Sequence, residues 1–401
     1  MTQPYIIDVH SHCPSPALEK LTGVPRWRST VDVPWAPSDT LAMMDRTAIA
    51  SSTLSLPNAL DAVPSGQRPS TARAINEELA RIANLDPNRL GAFAVLPWTD
   101  ADAAIVEADY ALEVLHLDGI GSTTSIDGLY LGDPRFLPVF DHLNSRRAVI
   151  FIHPHSLEHA PVVAPGIDQS TLEFMFESSR MVTSLIYSGV IRRCRDLRII
   201  STHGGGAIPY LAHRIATHAE TRNARRIVPM TYADVMADIA TFYFDLTATV
   251  HAAPLHAILE LVPLSHLLMG FDFPIRPERL FLPDLESLSG YVDLKPDARN
   301  AILRDNALTL FPRFGGTTGN EAVTSSADSH EVERASQTST VAVGCVDCSQ
   351  TLASAGLGLP SGQAARWRSR VRRRSGPPGG HVGGRRRAAG RESVVRSTGC
   401  F

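Results

Sequence analysis

Ile6-Ile7-Asp8-Val9-His10-Ser11-His12 is an apolar run of β type that ends in two histidines two residues apart. Side chains at i and i+2 of a strand point to the same side, so both imidazoles address one spot at the strand's end. That is half of a metal site. Three later runs end in the same manner: Phe151-Ile152-His153-Pro154-His155, Ser201-Thr202-His203-Gly204-Gly205-Gly206 and Met269-Gly270-Phe271-Asp272-Phe273-Pro274.

Working outward, the spacing predicts strands over Tyr5–His10, Ser52–Leu56, Gly91–Leu96, Gly119–Thr123, Ala148–His153, Arg198–His203, Phe242–Leu246 and Leu267–Phe271. Helical patterns alternate with them over Ser38–Arg46, Thr71–Ile82, Ala101–Leu115 and Leu172–Val190, and Pro296–Leu310 follows the last strand. Eight β runs interleaved with helices are the rhythm of a (β/α)8 TIM barrel. A doubly wound open sheet has the same alternation. The count of eight favours the barrel, as does the gathering of reactive side chains at strand C-termini. The barrel is expected over 1–314.

Beyond it the composition changes. Lys and Arg number 26 against 35 Asp and Glu through residue 314, and 12 against 6 after it. The 315–401 segment is rich in Gly, Ser and Arg, has no sustained period and ends in arginine clusters such as Arg372-Arg373-Arg374 and Arg385-Arg386-Arg387. Too little apolar surface is available there to offset ordering entropy, so a disordered C-terminal tail is expected. A basic tail can attract nucleic acid or acidic membrane non-specifically, yet no nucleic-acid motif accompanies it. Neither a specific nucleic-acid partner nor a membrane partner is expected.

No stretch approaches the run of roughly 20 apolar residues that spans a bilayer, and the N-terminal residues lack a signal-peptide pattern. Five scattered cysteines argue against a disulfide framework. A cytoplasmic protein is the expectation. Cys13 follows the histidine pair with no sign of activation, and Cys345-x-x-Cys348 lacks a second pair for zinc. The loop from Cys13 to Pro37 is long and rich in Pro and Trp, as lids over barrel mouths are.

In a barrel the strand ends converge. His10, His12, His153 and Asp272 then make three nitrogens and one oxygen, a set suited to one divalent ion, zinc first, with manganese or iron as alternatives. A two-metal site of this design needs a bridging ligand, often a carboxylated lysine on strand four. Gly119-Ile120-Gly121-Ser122-Thr123-Thr124 offers none. His203 stands one strand over from His153, placed for hydrogen bonding or proton transfer. Each residue also has a plainer reading: His-x-His pairs occur on ordinary surfaces, and Asp272 suits a turn. Joint placement at independent strand ends is what favours a site. His155 is a candidate for substrate contact or a loop residue. Arg180 is a candidate partner for a substrate carboxylate or a solvated helix residue. Asp245 is a candidate support or a cap.

These runs, with Leu41-Ala42-Met43-Met44-Asp45, Tyr130-Leu131-Gly132-Asp133-Pro134 and Pro209-Tyr210-Leu211-Ala212-His213-Arg214, resemble the amidohydrolase superfamily. The resemblance spans about residues 5–312. Within the superfamily it is to the branch of α-amino-β-carboxymuconate-ε-semialdehyde, γ-resorcylate and 6-methylsalicylate decarboxylases. It implies one metal on His10, His12, His153 and Asp272, with His203 beside it. It further implies non-oxidative decarboxylation of a small hydroxyaromatic or related unsaturated carboxylic acid, with Asp272 and His203 supplying the proton. Trp27 and Phe273 would stack on the substrate, and a homodimer would form, with Arg222, Arg225 and Arg226 as candidates to reach the neighbour. Phe271 replaces the family's usual small residue. A metal-dependent hydrolase of an ester, lactone or amide is the rival on the same fold. An inactive barrel kept as a binding protein is the rival of another class.

Overall fold

The computed structural model describes residues 5–23, 35–157, 164, 166–221 and 229–317. Eight parallel strands in sequential order form the barrel: β1 (Ile6–His12), β2 (Ile49–Ser55), β3 (Leu90–Val95), β4 (Gly119–Thr123), β5 (Val149–His153), β6 (Arg198–Ser201), β7 (Tyr243–Asp245) and β8 (Leu267–Leu268). Hydrogen bonds from Val9 N–H to Met269 O, Asp272 N–H to His10 O and His12 N–H to Phe273 O join the segment after β8 to β1. The strands agree with the expected runs to within a few residues at each end.

Two layers of core follow from the alternation. Most strand residues that face outward pack beneath the surrounding helices, among them Arg68–Ala83, Leu137–Ser145 and Glu173–Tyr187. The inward layer contains Ile7, Val9, Phe93, Phe151, Ile200 and Leu268, with Phe93 stacked on Phe151 at 4.9 Å between ring centroids. Its floor is Ala307 and Leu310 of the last α-helix, Asn306–Leu310, with Phe311 and Phe314 just after it. Arg313 pins that floor near the strand starts through Asp118 and the Leu90 carbonyl. The barrel is therefore filled and closed at its N-terminal end, which leaves the C-terminal mouth for function.

In β1 the pairing with β2 shifts register between Asp8 and Ser11. An irregularity of this kind re-aims side chains. Below it Ile7 and Val9 fill the barrel, and above it the His10 ring meets Phe151 edge-on at 5.1 Å.

The connection after β1 departs from the expected irregular lid. It holds a helix, Pro16–Thr22, capped by Ser15, whose side chain accepts from Leu18 N–H, and ended by Gly23 at φ +67°. Its middle, residues 24–34 with Trp27, lies outside the described residues, as do Arg222, Arg225, Arg226, Cys345, Cys348 and the tail beyond residue 317. Trp35, at the other side, is buried and donates its indole N–H to Thr40 at 3.0 Å.

Candidate metal centre

The ends of β1 and β5 and the segment after β8 meet at the mouth. One ligand atom from each of His10, His12, His153 and Asp272 lies within 4.8 Å of the others. The three imidazole centroids are 4.9 to 5.2 Å apart. All three histidines are buried, whereas the Asp272 side chain retains 14% exposure. Asp272 Oδ1 stands 2.9 Å from His12 Nε2 and 3.6 Å from His10 Nε2.

The partners of the other ring nitrogens define which way each histidine faces. His153 Nδ1 meets the Pro154 carbonyl at 2.5 Å. A carbonyl only accepts, so that nitrogen carries the proton and Nε2 keeps its lone pair. His10 Nδ1 meets the Asp245 carboxylate at 3.1 Å, and His12 Nδ1 meets Ser55 Oγ at 2.9 Å. Partners of this kind on the far nitrogen are what orient histidines toward a metal. His10 Nε2 is buried and has no hydrogen-bond partner among the described residues. Such an atom costs stability unless something binds it. The donor set and this orphaned nitrogen fit a divalent ion.

The surrounding charge favours a cation as well. Burial opposes charge on His10, but Asp245, Asp272 and Asp8 outweigh it and raise its pKa above the ordinary value. Burial pushes Asp272 upward, yet its hydrogen bond with His12 and the nearby imidazoles hold it at about 2. Burial lowers His203 to about 4, with neighbouring His10 adding to the effect, and drives His153 well below the ordinary imidazole range.

Two buried carboxylates hold the frame. Asp245 ends β7, supports His10 Nδ1 and accepts from the backbone of His203 at 3.2 Å and Thr247 at 3.0 Å. Asp8 accepts from His10 N–H, Ser11 Oγ, Ser52 Oγ and Phe271 N–H at 2.6 to 3.1 Å, tying β1 to its neighbours on both sides. Burial lifts Asp8 to about 6 against those hydrogen bonds. A lone acid inside an apolar strand, two residues before a candidate ligand, is the sequence signal that points to it.

His203 follows β6 at φ +54°, and Gly204, Gly205 and Gly206 after it also have positive φ. This reversal sets its ring 4.9 Å from His10 and 5.4 Å from His153. Gly270 is required by close approach: a Cβ there would stand 2.4 Å from Thr247 Oγ1 and 2.7 Å from the Cβ of His10.

Three of the remaining candidates fall among the described residues. His155 is held by Ser125 Oγ at 2.9 Å and Asp61 at 3.2 Å. Arg180 is exposed and pairs with the buried Glu177, which also accepts from Tyr130 OH at 2.9 Å. Phe273 gives its carbonyl to His12 N–H, and its side chain is partly buried. Phe174, which the sequence did not single out, presents its ring edge-on to His153 at 5.9 Å.

The amidohydrolase family profile matches residues 7–313. The decarboxylase yanB of Aspergillus niger is 35% identical over 331 residues, covering 77% of this chain and 88% of that protein. A 6-methylsalicylic acid decarboxylase of Penicillium expansum is 30% identical, covering 77% of this chain and 97% of its own. The crystal structure of a 5-carboxyvanillate decarboxylase from Novosphingobium aromaticivorans, complexed with manganese and 4-hydroxy-3-methoxy-5-nitrobenzoic acid, shares the fold with a TM-score of 0.68. It is 17% identical and covers 77% of this chain and 96% of that one.

Proposed function

This chain belongs to the amidohydrolase family and is a carboxy-lyase within it, and we propose that it decarboxylates a small hydroxyaromatic acid without oxidation, using one divalent ion. The observation that carries the reading is the convergence of His10, His12, His153 and Asp272 at the barrel mouth, with His10 Nε2 left for a ligand. The three-nitrogen, one-oxygen set suits zinc. Manganese, present in the complex of the Novosphingobium enzyme, is the second candidate.

When bound, the ion neutralises the charge of the substrate's carboxylate and adjacent oxygen and fixes the ring. The protein's own groups then manage the proton. Asp272 alone of the four is partly exposed, so its carboxyl stands between the buried histidines and the open mouth. In this reading it takes up a proton from solvent at the mouth and passes it to the ring carbon bearing the carboxylate. Addition of that proton breaks the ring's aromaticity, and departure of CO2, which leaves the electrons of the broken C–C bond in the ring, restores it. His203 borders the same space and orients the reacting oxygen or the proton. Phe174 and the partly buried Phe273 line the approach with aromatic surface and limit water. Arg180 would anchor a substrate carboxylate after exchanging its bond to Glu177.

The test is a panel of salicylate-type acids incubated with the metal-loaded protein while CO2 is measured. Release from at least one ortho-hydroxy acid is expected. No release across the panel, with turnover of esters or lactones instead, would overturn the reading in favour of hydrolysis.

A further inference from the structure

A small, partly open cleft lies at the C-terminal ends of β2, β3 and β4. Strand pairing and one hydrogen bond tie it to the His153 side of the barrel mouth. Ser122 in its wall precedes Thr123, the residue paired with His153 between β4 and β5, and Asp61 at its rim bonds His155, two residues beyond that histidine. Its walls are mostly apolar, supplied by Leu60, Val95, Leu96, Ile126 and the indole of Trp98.

Trp98 is 3% exposed, and its ring is fixed by Phe136 and Phe140 at 6.2 and 5.3 Å. Its Nε1–H is buried and has no hydrogen-bond partner among the described residues. Buried indole N–H groups ordinarily find an acceptor. The charged groups of the cleft are already matched: Arg68 grips Asp127 through two bonds of 2.7 Å, and Asp61 faces His155. What the cleft offers a ligand is therefore apolar wall plus one unused donor.

The geometry points to Trp98 as a specificity-determining residue that receives an uncharged, acceptor-bearing ring substituent of the substrate, such as an ether, hydroxyl or carbonyl group. This rests on the decarboxylase reading above for the nature of the substrate. An apolar substituent of equal size fills the same walls but leaves the N–H unpaired. A second carboxylate is disfavoured, because Arg68 is neutralised by Asp127 and Asp61 adds negative charge.

The experiment compares the dissociation constants of the metal-loaded full chain for salicylates carrying methoxy or ethyl at ring position 4 or 5, with CO2 release followed in parallel. At one of the two positions the wild type is expected to bind the methoxy compound about tenfold more tightly than the ethyl one. In Trp98→Phe, which keeps an aromatic ring in the wall, that ratio is expected to fall to about one. A wild-type ratio near one at both positions overturns the inference without any variant, and so does an unchanged ratio in Trp98→Phe. The two readings fail separately: a Trp98-dependent preference in a protein that releases no CO2 from any acid supports the cleft's role and overturns the decarboxylase assignment.

Discussion

Asp245 shows how one residue sets the state of several others. Its carboxylate faces His10 Nδ1 and receives the backbone N–H groups of His203 and Thr247. Asp245→Asn keeps the shape but loses the charge, and metal affinity is expected to fall by about 10- to 100-fold. Competition with a chromophoric chelator would measure this, and an unchanged affinity would remove Asp245 from the site. Asp8 belongs to the fold rather than the chemistry. Asp8→Ala strands buried donors on three strands and is expected to cost about 3 kcal/mol, read as a lower denaturant midpoint. At this scale the candidate ligands were legible because each sits at the end of an apolar run. Asp245 stood open between support and cap from its place at the end of its own run, and its partner was not readable, because it meets His10 across 235 residues of sequence. No local pattern records such a meeting.

At the scale of elements, the hairpin Ser125–Ile126 and Leu129–Tyr130 covers one side of the mouth. Its turn places Asp127 at φ +48° and Gly128 at φ +79°, the geometry that Asp-Gly turns adopt. Asp127 then reaches Arg68, and Tyr130 reaches Glu177. The hydrogen bond from Arg68 lowers the pKa of Asp127 below its ordinary value. The latch is thus present above the ordinary carboxylate pKa and lost as pH falls through the depressed one. Asp127 is half exposed, so solvent screens the pair and the stabilisation is modest. Arg68→Ala is expected to raise hydrogen exchange in residues 125–130 well above that of β4, and equal protection in both proteins would show that the latch is idle. The strands were legible from their apolar runs and the helices from their spacing. The helix Pro16–Thr22 was not, although Ser15, Pro16 and Gly23 are start and stop signals. The Pro and Trp residues around it give the stretch the composition of a long loop.

For the whole molecule, the barrel is complete by Phe314, whose ring is fully buried in the inner core. Deleting residues 320–401 is therefore expected to leave both thermal midpoint and CO2 release unchanged, whereas Phe314→Ala should cost about 3 kcal/mol by opening the barrel floor. Loss of activity in the truncated protein with its fold intact would give the basic tail a function. The architecture was readable because a (β/α)8 barrel repeats one unit eight times, while the path by which its mouth is framed depends on contacts between distant units.

The most direct test of the account concerns the centre where β1 ends. Protein stripped by a chelator and titrated with zinc or manganese, with bound metal and CO2 release from an ortho-hydroxybenzoate measured together, should be inactive without metal and reach full activity at one ion per chain. A plateau at two ions, or full release by the stripped protein, would contradict the mononuclear centre built on His10, His12, His153 and Asp272.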